Sequence, residues 1–417
     1  MLRILTCLVV LWPIAGSIDA ASFDTDVPPK AGEKYKSAAF RIWIPDGVKP
    51  VRAVIVRQHG CGRNGIDHSD DLQWRALAKK HGAALLGSNL VYKENCSDWF
   101  DPKNGSERAF LDALKTFATE SKHPELEAAP WAIWGHSGGS IWACHMANKF
   151  PDRVVAVWGR SASITEFEKA TFEIPIVFNY GVKESEKGSQ FEKVHINSTK
   201  AFETYRPQGA IWSIAVDPKS SHDCRESRAL AIPFFDAMLK ERLTKDGAQL
   251  TALAHAAKRW RADPMTLTLR GPDSSIGDPL KCHWLPSETF AKLWAEYCQT
   301  GTVKDTTEPP TPSDVRAAAG DTGVTVTWIA ECDLESGVKA FAILRDGKRI
   351  ATVGSPKGKG NQQGHFQARD YGDEPVPRNP AMLHIDADGK AGAKYEVIQI
   401  NFQDLESKPS VAATAAK

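Results

Sequence analysis

The strongest indication of the fold of this chain is the segment Trp131-Ala-Ile-Trp-Gly135-His-Ser137-Gly-Gly139. An apolar segment at 131–134 runs into the pattern Gly-x-Ser-x-Gly, and a segment with helical character follows at 139–150. A Ser at a sharp strand-to-helix turn has a strained backbone, and side chains at the flanking Gly positions would clash there. The pattern therefore predicts a strand, a tight turn that exposes the Ser137 hydroxyl, and a helix.

Segments that alternate between strand and helix patterns extend outward from this stretch, from residue 38 to about residue 240. We predict strands at 40–44, 51–59, 83–90, 131–134, 154–158, 174–180 and 211–216, and helices at 72–81, 107–120, 139–150, 191–205 and 225–239. Strands that alternate with helices form mostly parallel sheets, which helices cover on both faces. The sequence therefore predicts an α/β fold for this part of the chain.

Length, composition and charge limit the possible classes of protein. The chain has 417 residues, of which 25% are charged and 42% are hydrophobic. This is the composition of a folded globular protein, and a single core stops growing at about 250–300 residues, so we expect more than one domain. The 52 Lys and Arg residues balance 51 Asp and Glu residues, which argues against a nucleic-acid partner.

The N-terminus has the pattern of a secretory signal peptide. Arg3 precedes an apolar run at 4–14, and small residues follow it. This run is too short to span a membrane, and no other stretch reaches the roughly 18 apolar residues that a span requires. We therefore expect a secreted or periplasmic protein without a membrane span.

The chain divides into a signal peptide at 1–20, a main domain at 21–301, a linker at 302–313 and a C-terminal domain at 314–417. The main domain includes an extension at 241–300, which we predict to be helix-rich from LTALAHAAKRW and PSETFAKLWAEYC. Three Pro and four Thr give the linker its character. Apolar and polar residues alternate in the C-terminal segments, which predicts a small antiparallel β-sandwich.

Cysteine usage predicts disulfide bonds but not a metal site. Seven of the eight Cys remain after removal of the signal peptide, so at least one is unpaired. Cys144 lies in a predicted buried helix, and we expect it to be a free thiol. Candidate disulfides are Cys61–Cys96 and Cys282–Cys298, although spacing alone does not fix the pairing. No C-x-x-C or H-x-x-x-H pattern indicates zinc, so we expect no metal.

A Ser hydroxyl needs a base to become a nucleophile, and the base needs an acid to orient it. In folds with this Gly-x-Ser-x-Gly turn the chain order is Ser, acid, His. His222 follows the predicted strand at 211–216 and precedes a helix, so it is the candidate base for Ser137.

The candidate acid is Glu184, which follows the predicted strand at 174–180 in the turn Gly181-Val-Lys-Glu184. Glu186 is its near neighbour, and Glu166, after the preceding strand, is the alternative placement. All three carboxylates remain open at this point, with Glu184 preferred.

The segment Arg57-Gln-His-Gly60-Cys61-Gly62 ends the second apolar strand and is a candidate oxyanion loop. A chain that turns here can direct backbone N–H groups at a developing negative charge. We expect the donors to be the N–H groups of Cys61 and Gly138, with Gly62 as the substitute for Cys61. Trp158 and Trp99 lie on loops or strand ends at the same edge, and they are candidate substrate-binding residues.

These residues together resemble the α/β-hydrolase superfamily over about residues 38–240. RQHGCGRNG and WGHSGGSIWACHMANKFPDRV are similar to secreted feruloyl and acetylxylan esterases and to polyhydroxyalkanoate depolymerases. The chain departs from them in having Glu184 where the acid is usually Asp, and residues 241–300 match no known pattern. The C-terminal VTVTW and YEVIQINFQD segments resemble a fibronectin type III domain, which implies a spacer or an adaptor.

The resemblance implies a serine hydrolase that cleaves carboxylic esters through an acyl-enzyme and needs no cofactor. The sequence leaves the oligomeric state open, with a monomer as the expectation. Its substrates would be esters of plant polysaccharides, or polyesters. A serine peptidase on the same fold would share the geometry. A catalytically inactive secreted binding protein is the third hypothesis, and the presence of Ser, acid and His in the expected order argues against it.

Overall fold

The computed structural model describes residues 21–247, 249–254, 256, 258–275, 277–330, 332–354, 368–376 and 382–417. The signal peptide predicted for residues 1–20 lies outside this part of the chain. Among the described residues, no helix is both long enough and apolar enough to cross a lipid bilayer.

Eight strands form the central sheet of the main domain. They are β1 (Ala21–Asp26), β2 (Tyr35–Ile44), β3 (Val54–Gln58), β4 (Ala84–Tyr92), β5 (Trp131–His136), β6 (Val154–Arg160), β7 (Ile176–Gly181) and β8 (Trp212–Asp217). Their order is β1-β2-β4-β3-β5-β6-β7-β8, and all neighbours from β4 to β8 pair in parallel. Only β1 and β2 run antiparallel to their neighbours.

Helices cover both faces of this sheet. They are α1 (Leu72–His81), α2 (Ser97–Phe100), α3 (Ser106–Glu120), α4 (Gly138–Lys149), α5 (Glu192–Tyr205), α6 (Arg228–Arg242) and α7 (Glu288–Thr300). One core lies under α3, α4 and α5 and includes Phe110, Trp142 and Phe202. The other lies under α1, α6 and α7 and includes Trp74 and Phe234. Short 3-10 helices occupy Ile66–Asp70, Pro102–Asn104, Pro124–Glu127, Lys169–Glu173, Val182–Ser185 and Arg206–Gln208.

The α/β-hydrolase fold class is confirmed by this strand order and by the helices on both faces. Strands buried on both faces read as continuous apolar runs, and every residue of β5 and β6 is buried. The strand that precedes Ser137 therefore lies in the middle of the sheet. Loops that follow the parallel strands meet at one edge, where ligands bind in folds of this kind.

The extension at 241–300 is less helical than the sequence predicts. The helix expected for PSETFAKLWAEYC is present as α7, but among the described residues no helix covers LTALAHAAKRW. Leu250 forms an isolated bridge with Leu243 instead, and a three-stranded sheet of β9 (Trp260–Ala262), β10 (Leu269–Arg270) and β11 (His283–Leu285) follows. Tertiary packing of Leu250 and Leu253 against the core outweighs the helix propensity of the alanines.

The C-terminal domain consists of small antiparallel sheets, as predicted. Its strands are β12 (Ser313–Gly320), β13 (Gly323–Ile329), β14 (Ala340–Arg345), β15 (Lys348–Gly354), β16 (Ala368–Arg369), β17 (Pro375–Val376), β18 (Leu383–Asp386), β19 (Lys394–Ile400) and β20 (Ala413–Thr414). One sheet has the order β12-β13-β18 and the other β15-β14-β19-β20. Trp328, Phe341 and Tyr395 are buried in the core of this domain. The pair β16–β17 is separate from both sheets.

The cysteine predictions have different outcomes. Cys61 and Cys96 form the predicted disulfide. Cys144 is a buried free thiol as expected, and burial raises its pKa to about 12.

The pairing predicted for Cys282 and Cys298 is wrong, because both are free. His283 and Trp294 meet beside Ile214 on β8. Cys298 lies one helical turn beyond Trp294, near Val216. Cys282, the neighbour of His283, is therefore placed near Ile214, whereas Cys298 is placed near Val216.

Candidate active site

The turn between β5 and α4 has the strained geometry that its sequence predicts. Ser137 has φ 54° and ψ −120°, which is outside the regions that L-residues favour. A Cβ atom on Gly135 would lie 2.3 Å from the carbonyl oxygen of Gly139, and one on Gly139 would lie 2.4 Å from the carbonyl oxygens of Gln58 and His59. Both glycines are therefore required by close backbone approach.

Ser137, His222 and Glu184 form one continuous chain of hydrogen bonds. The Nδ1 atom of His222 lies 2.6 Å from Glu184 Oε1, and its Nε2 atom lies 2.9 Å from Ser137 Oγ. An ionised carboxylate only accepts hydrogen bonds, so Nδ1 carries the proton and Nε2 accepts from the Ser137 hydroxyl. This is the arrangement in which an imidazole can remove a hydroxyl proton.

The carboxylate of Glu184 has no solvent exposure and is held by two further donors. Its Oε2 atom accepts from Ser161 Oγ at 2.9 Å and from the Gly181 N–H at 3.0 Å. Sequence pattern alone does not reveal this role of Ser161, although its position directly after β6 places it at the same sheet edge. Of the three candidate acids, the structure brings Glu184 to His222, and neither Glu166 nor Glu186 takes part in this chain of hydrogen bonds.

Two aromatic rings fix the orientation of His222. The ring of Phe191 stacks on it with 3.6 Å between centroids and an interplanar angle of 5°. The Nε2 atom of His136 donates to the His222 carbonyl oxygen at 2.8 Å. Burial lowers the pKa of His136 well below its usual value, which keeps that ring neutral. Sequence periodicity gives no signal for Phe191, because it acts from the N-terminal end of α5.

Arg160 stabilises the loop that carries His222. Its buried guanidinium donates to Ser220 Oγ at 3.0 Å and to the Ser221 carbonyl oxygen at 2.7 Å, and it also contacts the Asp223 carbonyl. The Asn179 side chain accepts a further bond at 3.3 Å. Arg160 therefore satisfies backbone groups of the loop rather than facing solvent.

The two residues predicted to supply the oxyanion donors, Cys61 and Gly138, pack against each other. Gly138 is the first residue of α4, so its N–H has no partner within the helix. A Cβ atom on Gly138 would lie 2.5 Å from Cys61 Sγ and 2.8 Å from Cys96 Sγ, so the disulfide packs directly on this residue. Gly62, the alternative donor, has φ 69° and faces the hydroxyl of Tyr92.

His59 fixes the candidate oxyanion loop through two hydrogen bonds of its ring. Its Nε2 atom accepts the Leu90 N–H at 2.8 Å, so Nδ1 carries the proton and donates to the Gly60 carbonyl oxygen at 2.7 Å. Burial lowers the pKa of His59 to about 4, which keeps the ring neutral at physiological pH. The loop is thus fixed by a neutral histidine and by a disulfide.

The structure argues against substrate contacts for Trp158 and Trp99. Both side chains have no exposed surface. Trp158 packs against Phe234 of α6 on the opposite face of the sheet, and the ring of Trp99 lies 5.0 Å from that of His59. Burial of a large apolar side chain is favourable, so these two tryptophans pack into the core beside the site. Within the described residues, no cluster of His, Cys, Asp or Glu is arranged to hold a metal ion.

Distant likenesses to this chain are found among solved structures. No family model and no curated protein matches it. A poly(3-hydroxybutyrate) depolymerase from Bordetella parapertussis is similar at 13% identity and a TM-score of 0.36, over 53% of this chain and 87% of that chain. A ferulic acid esterase has 12% identity and a TM-score of 0.40, over 53% and 98%. An S-formylglutathione hydrolase from Agrobacterium tumefaciens has 12% identity and a TM-score of 0.36, over 56% and 96%. At such TM-scores these likenesses carry no weight for the reaction.

Proposed function

We propose that the protein is a serine hydrolase that cleaves carboxylic esters with Ser137 as nucleophile, His222 as base and Glu184 as acid. The observation that carries this proposal is the unbroken series of hydrogen bonds from Ser137 Oγ to Glu184 Oε1. The strained backbone of Ser137 supports the proposal. Such strain costs free energy, and it is found mostly at active sites, where the surrounding structure holds it in place.

The reaction would proceed in two steps. Ser137 Oγ attacks the ester carbonyl carbon while His222 Nε2 takes its proton, and His222 then protonates the departing alcohol. Water attacks the acyl-enzyme with His222 again as base, which releases the carboxylic acid and restores the Ser137 hydroxyl. Glu184 keeps the proton on Nδ1 and stabilises the imidazolium that forms in each step.

The negative charge of the tetrahedral intermediate would be held by the N–H groups of Cys61 and Gly138. The positive end of the α4 dipole adds to this stabilisation. The Cys61–Cys96 disulfide supports the proposal, because it fixes the loop against Gly138 before substrate arrives.

The resemblance of the motifs supports an exported enzyme that acts on esters of plant polysaccharides or on polyesters, with a fibronectin type III-like C-terminal domain. The three-plus-four arrangement of strands around Trp328 and Tyr395 supports that domain assignment. A peptidase would share the catalytic geometry, so the substrate class is decided by assay.

A labelling and substrate experiment tests the proposed function. We expect a fluorophosphonate to label Ser137, and Ser137→Ala to abolish both labelling and turnover of a p-nitrophenyl acetate-type ester while the circular dichroism spectrum stays unchanged. Ser121→Ala, at the end of α3, is the matched control and should retain wild-type activity. Full turnover by Ser137→Ala would refute the proposal, and cleavage of peptide amides but not of acetyl, feruloyl or polyester substrates would assign a peptidase.

A further inference from the structure

A hairpin of the C-terminal domain lies against the loops of the candidate active site. Strands β16 and β17 pair antiparallel and present the turn Asp370-Tyr371-Gly372-Asp373-Glu374 to the main domain. Asp373 is the buried centre of this contact, with 1% exposure. A domain that served only as a spacer would not need to place an ionised side chain inside its neighbour.

Asp373 joins two arginines of the main domain. Its Oδ2 atom accepts from Arg57 Nη2 at 2.8 Å, and its Oδ1 atom accepts from Arg228 Nε at 2.8 Å. Within the described residues, the hydrogen bonds of the Arg57 side chain all go to Asp373. Asp71 pairs with Arg228 through two hydrogen bonds and lies 4.0 Å from Arg57.

The two arginines belong to the two segments that carry catalytic groups. Arg57 lies on β3, three residues before Gly60 at the start of the candidate oxyanion loop. Arg228 begins α6, directly after the loop that carries His222. Asp373 therefore connects the oxyanion loop to the His222 loop through buried ion pairs.

Two further contacts join the hairpin to the same loops. The Cys224 N–H, two residues after His222, donates to the Tyr371 carbonyl oxygen at 3.0 Å. Arg63, directly after the oxyanion loop, forms an ion pair with Asp370. The ring of Tyr371 is half-exposed and lies 5.7 Å from the ring of His136, which binds the His222 carbonyl.

Ion pairs of Asp373 with arginines stabilise the contact between the hairpin and the main domain. Burial opposes ionisation of Asp373, but the charges of Arg228, Arg57 and Arg369 outweigh it and hold the pKa below its usual value. Without the hairpin, the Arg57 guanidinium would still stack on the rings of Trp74 and Trp134 and would still lie 4.0 Å from Asp71, but it would lose its hydrogen bonds to Asp373. A buried cation that loses its hydrogen-bonded partner is strongly destabilised, so both loops would rearrange.

We propose that the hairpin at 368–376 is a positioning element of the active site, in which Asp373 holds the oxyanion loop and the His222 loop in register with Ser137. The C-terminal domain is thus required for the reaction on small soluble substrates and is not only a spacer. This inference rests on the proposed function of Ser137.

The test compares variants of the full chain. Asp373→Asn removes the charge while keeping the size of the side chain, and Asp404→Asn, which breaks an exposed ion pair with Lys339, is the matched control. Reactive sites are counted by fluorophosphonate titration, so kcat per titrated site is independent of any unfolded fraction. We expect kcat per site on a small ester to fall about 10- to 100-fold in Asp373→Asn, with a KM within about threefold of wild type, and no change in Asp404→Asn.

Hydrogen exchange provides a readout that does not depend on activity. We expect amides at 58–64 and 220–228 to exchange faster in Asp373→Asn than in wild type, while those of α3 stay protected. Unchanged kcat per site together with unchanged exchange would overturn the proposal. Absence of labelling in the wild type would instead refute the proposed function, and the exchange result would still decide whether Asp373 holds the two loops.

The double variant Arg57→Met/Asp373→Asn gives a second decision if Asp373→Asn does not fold. It removes both charges of one buried pair, so Arg57 is not left as a buried cation without its partner, and Arg228 keeps its hydrogen bonds to Asp71. A threefold or greater fall in kcat per titrated site would support the proposal, and wild-type kcat would overturn it.

Discussion

Glu184 is the proposed acid of the site, at a position where the esterases that the motifs resemble usually have Asp. The longer side chain fits because the 3-10 turn Val182–Ser185 directs it back, so that its own Oε2 atom accepts the Gly181 N–H. Ser161 and His222 supply the other two donors. These three donors fix the orientation of the Glu184 carboxylate, and the carboxylate in turn fixes the orientation of the His222 ring.

We predict that Glu184→Gln lowers kcat about 10³- to 10⁴-fold with little change in KM. The amide NH₂ can donate to His222 Nδ1 and so favours the wrong tautomer, as with other acid-to-amide changes in such triads. Steady-state kinetics on a p-nitrophenyl ester measure the effect. Glu166→Gln and Glu186→Gln are matched controls, and a comparable loss in either of them would remove Glu184 from its assigned role.

At the element scale, the Cys61–Cys96 disulfide joins the loop after β3 to the start of α2 after β4. Neither loop has a strand partner of its own at this edge. The disulfide packs on Gly138, so it couples the position of the first turn of α4 to the positions of β3 and β4. The candidate oxyanion loop is thereby fixed by a covalent bond as well as by the hydrogen bonds of His59.

We predict that the double variant Cys61→Ala/Cys96→Ala unfolds with a free energy about 2–4 kcal/mol lower than wild type. The bond closes a loop with a sequence separation of 35 residues, whose entropy in the unfolded chain it restricts. Urea titration measures the change, and kcat should fall with it because the Cys61 N–H loses its fixed position. Cys298→Ala, which removes a free thiol, is the control. A midpoint for the double variant equal to that of wild type would contradict the prediction.

At the scale of the whole molecule, a buried polar cluster joins the linker to the C-terminal domain. The side-chain amide of Asn401 donates to Asp305 Oδ2 and to Asp333 Oδ2, each at 2.9 Å. Burial, with a contribution from the charge of Asp305, raises the pKa of Asp333 to about 7. The cluster that joins the linker to the C-terminal domain therefore contains a carboxyl group that binds a proton more tightly in the folded protein than in the unfolded chain.

We predict that Asp333→Asn stabilises the protein at pH 8 relative to wild type and does so less at pH 4.5. Because the folded-state pKa of Asp333 is raised from 3.8 to about 7, its contribution to stability is present below about pH 4 and is lost as the pH rises towards 7. Thermal midpoints at pH 4.5, 6 and 8 measure the difference between the two proteins. Asp321→Asn, in the exposed turn between β12 and β13, should show a constant difference, and a constant difference in Asp333→Asn would contradict the prediction.

Local patterns in the sequence were sufficient for seven of the eight strands of the central sheet, for most helices and for the residues at the strand ends, but the edge strand β1 (Ala21–Asp26) was not predicted. The Gly-x-Ser-x-Gly turn, Glu184 and His222 each follow an apolar run directly, and parallel strands end at one edge, so order along the chain predicts proximity in space. The pattern failed at 250–260, where packing outweighs helix propensity, and at Trp158 and Trp99, because a pattern of apolar residues does not distinguish a pocket wall from a core.

Periodicity and short spacing were sufficient to predict the α/β fold, the strained turn at Ser137, and the meeting of Ser137 with His222, with Glu184 preferred among three carboxylates. The folded structure was needed to show that His222 meets Glu184, that Phe191 stacks on His222, that Cys282 and Cys298 stay apart, and that Asp373 lies between Arg57 and Arg228. Arg57 and Asp373 are separated by 316 residues, and no local pattern encodes a contact between residues so far apart. Their pairing follows from how two folded domains pack and from the high free energy of leaving a buried charge without a partner.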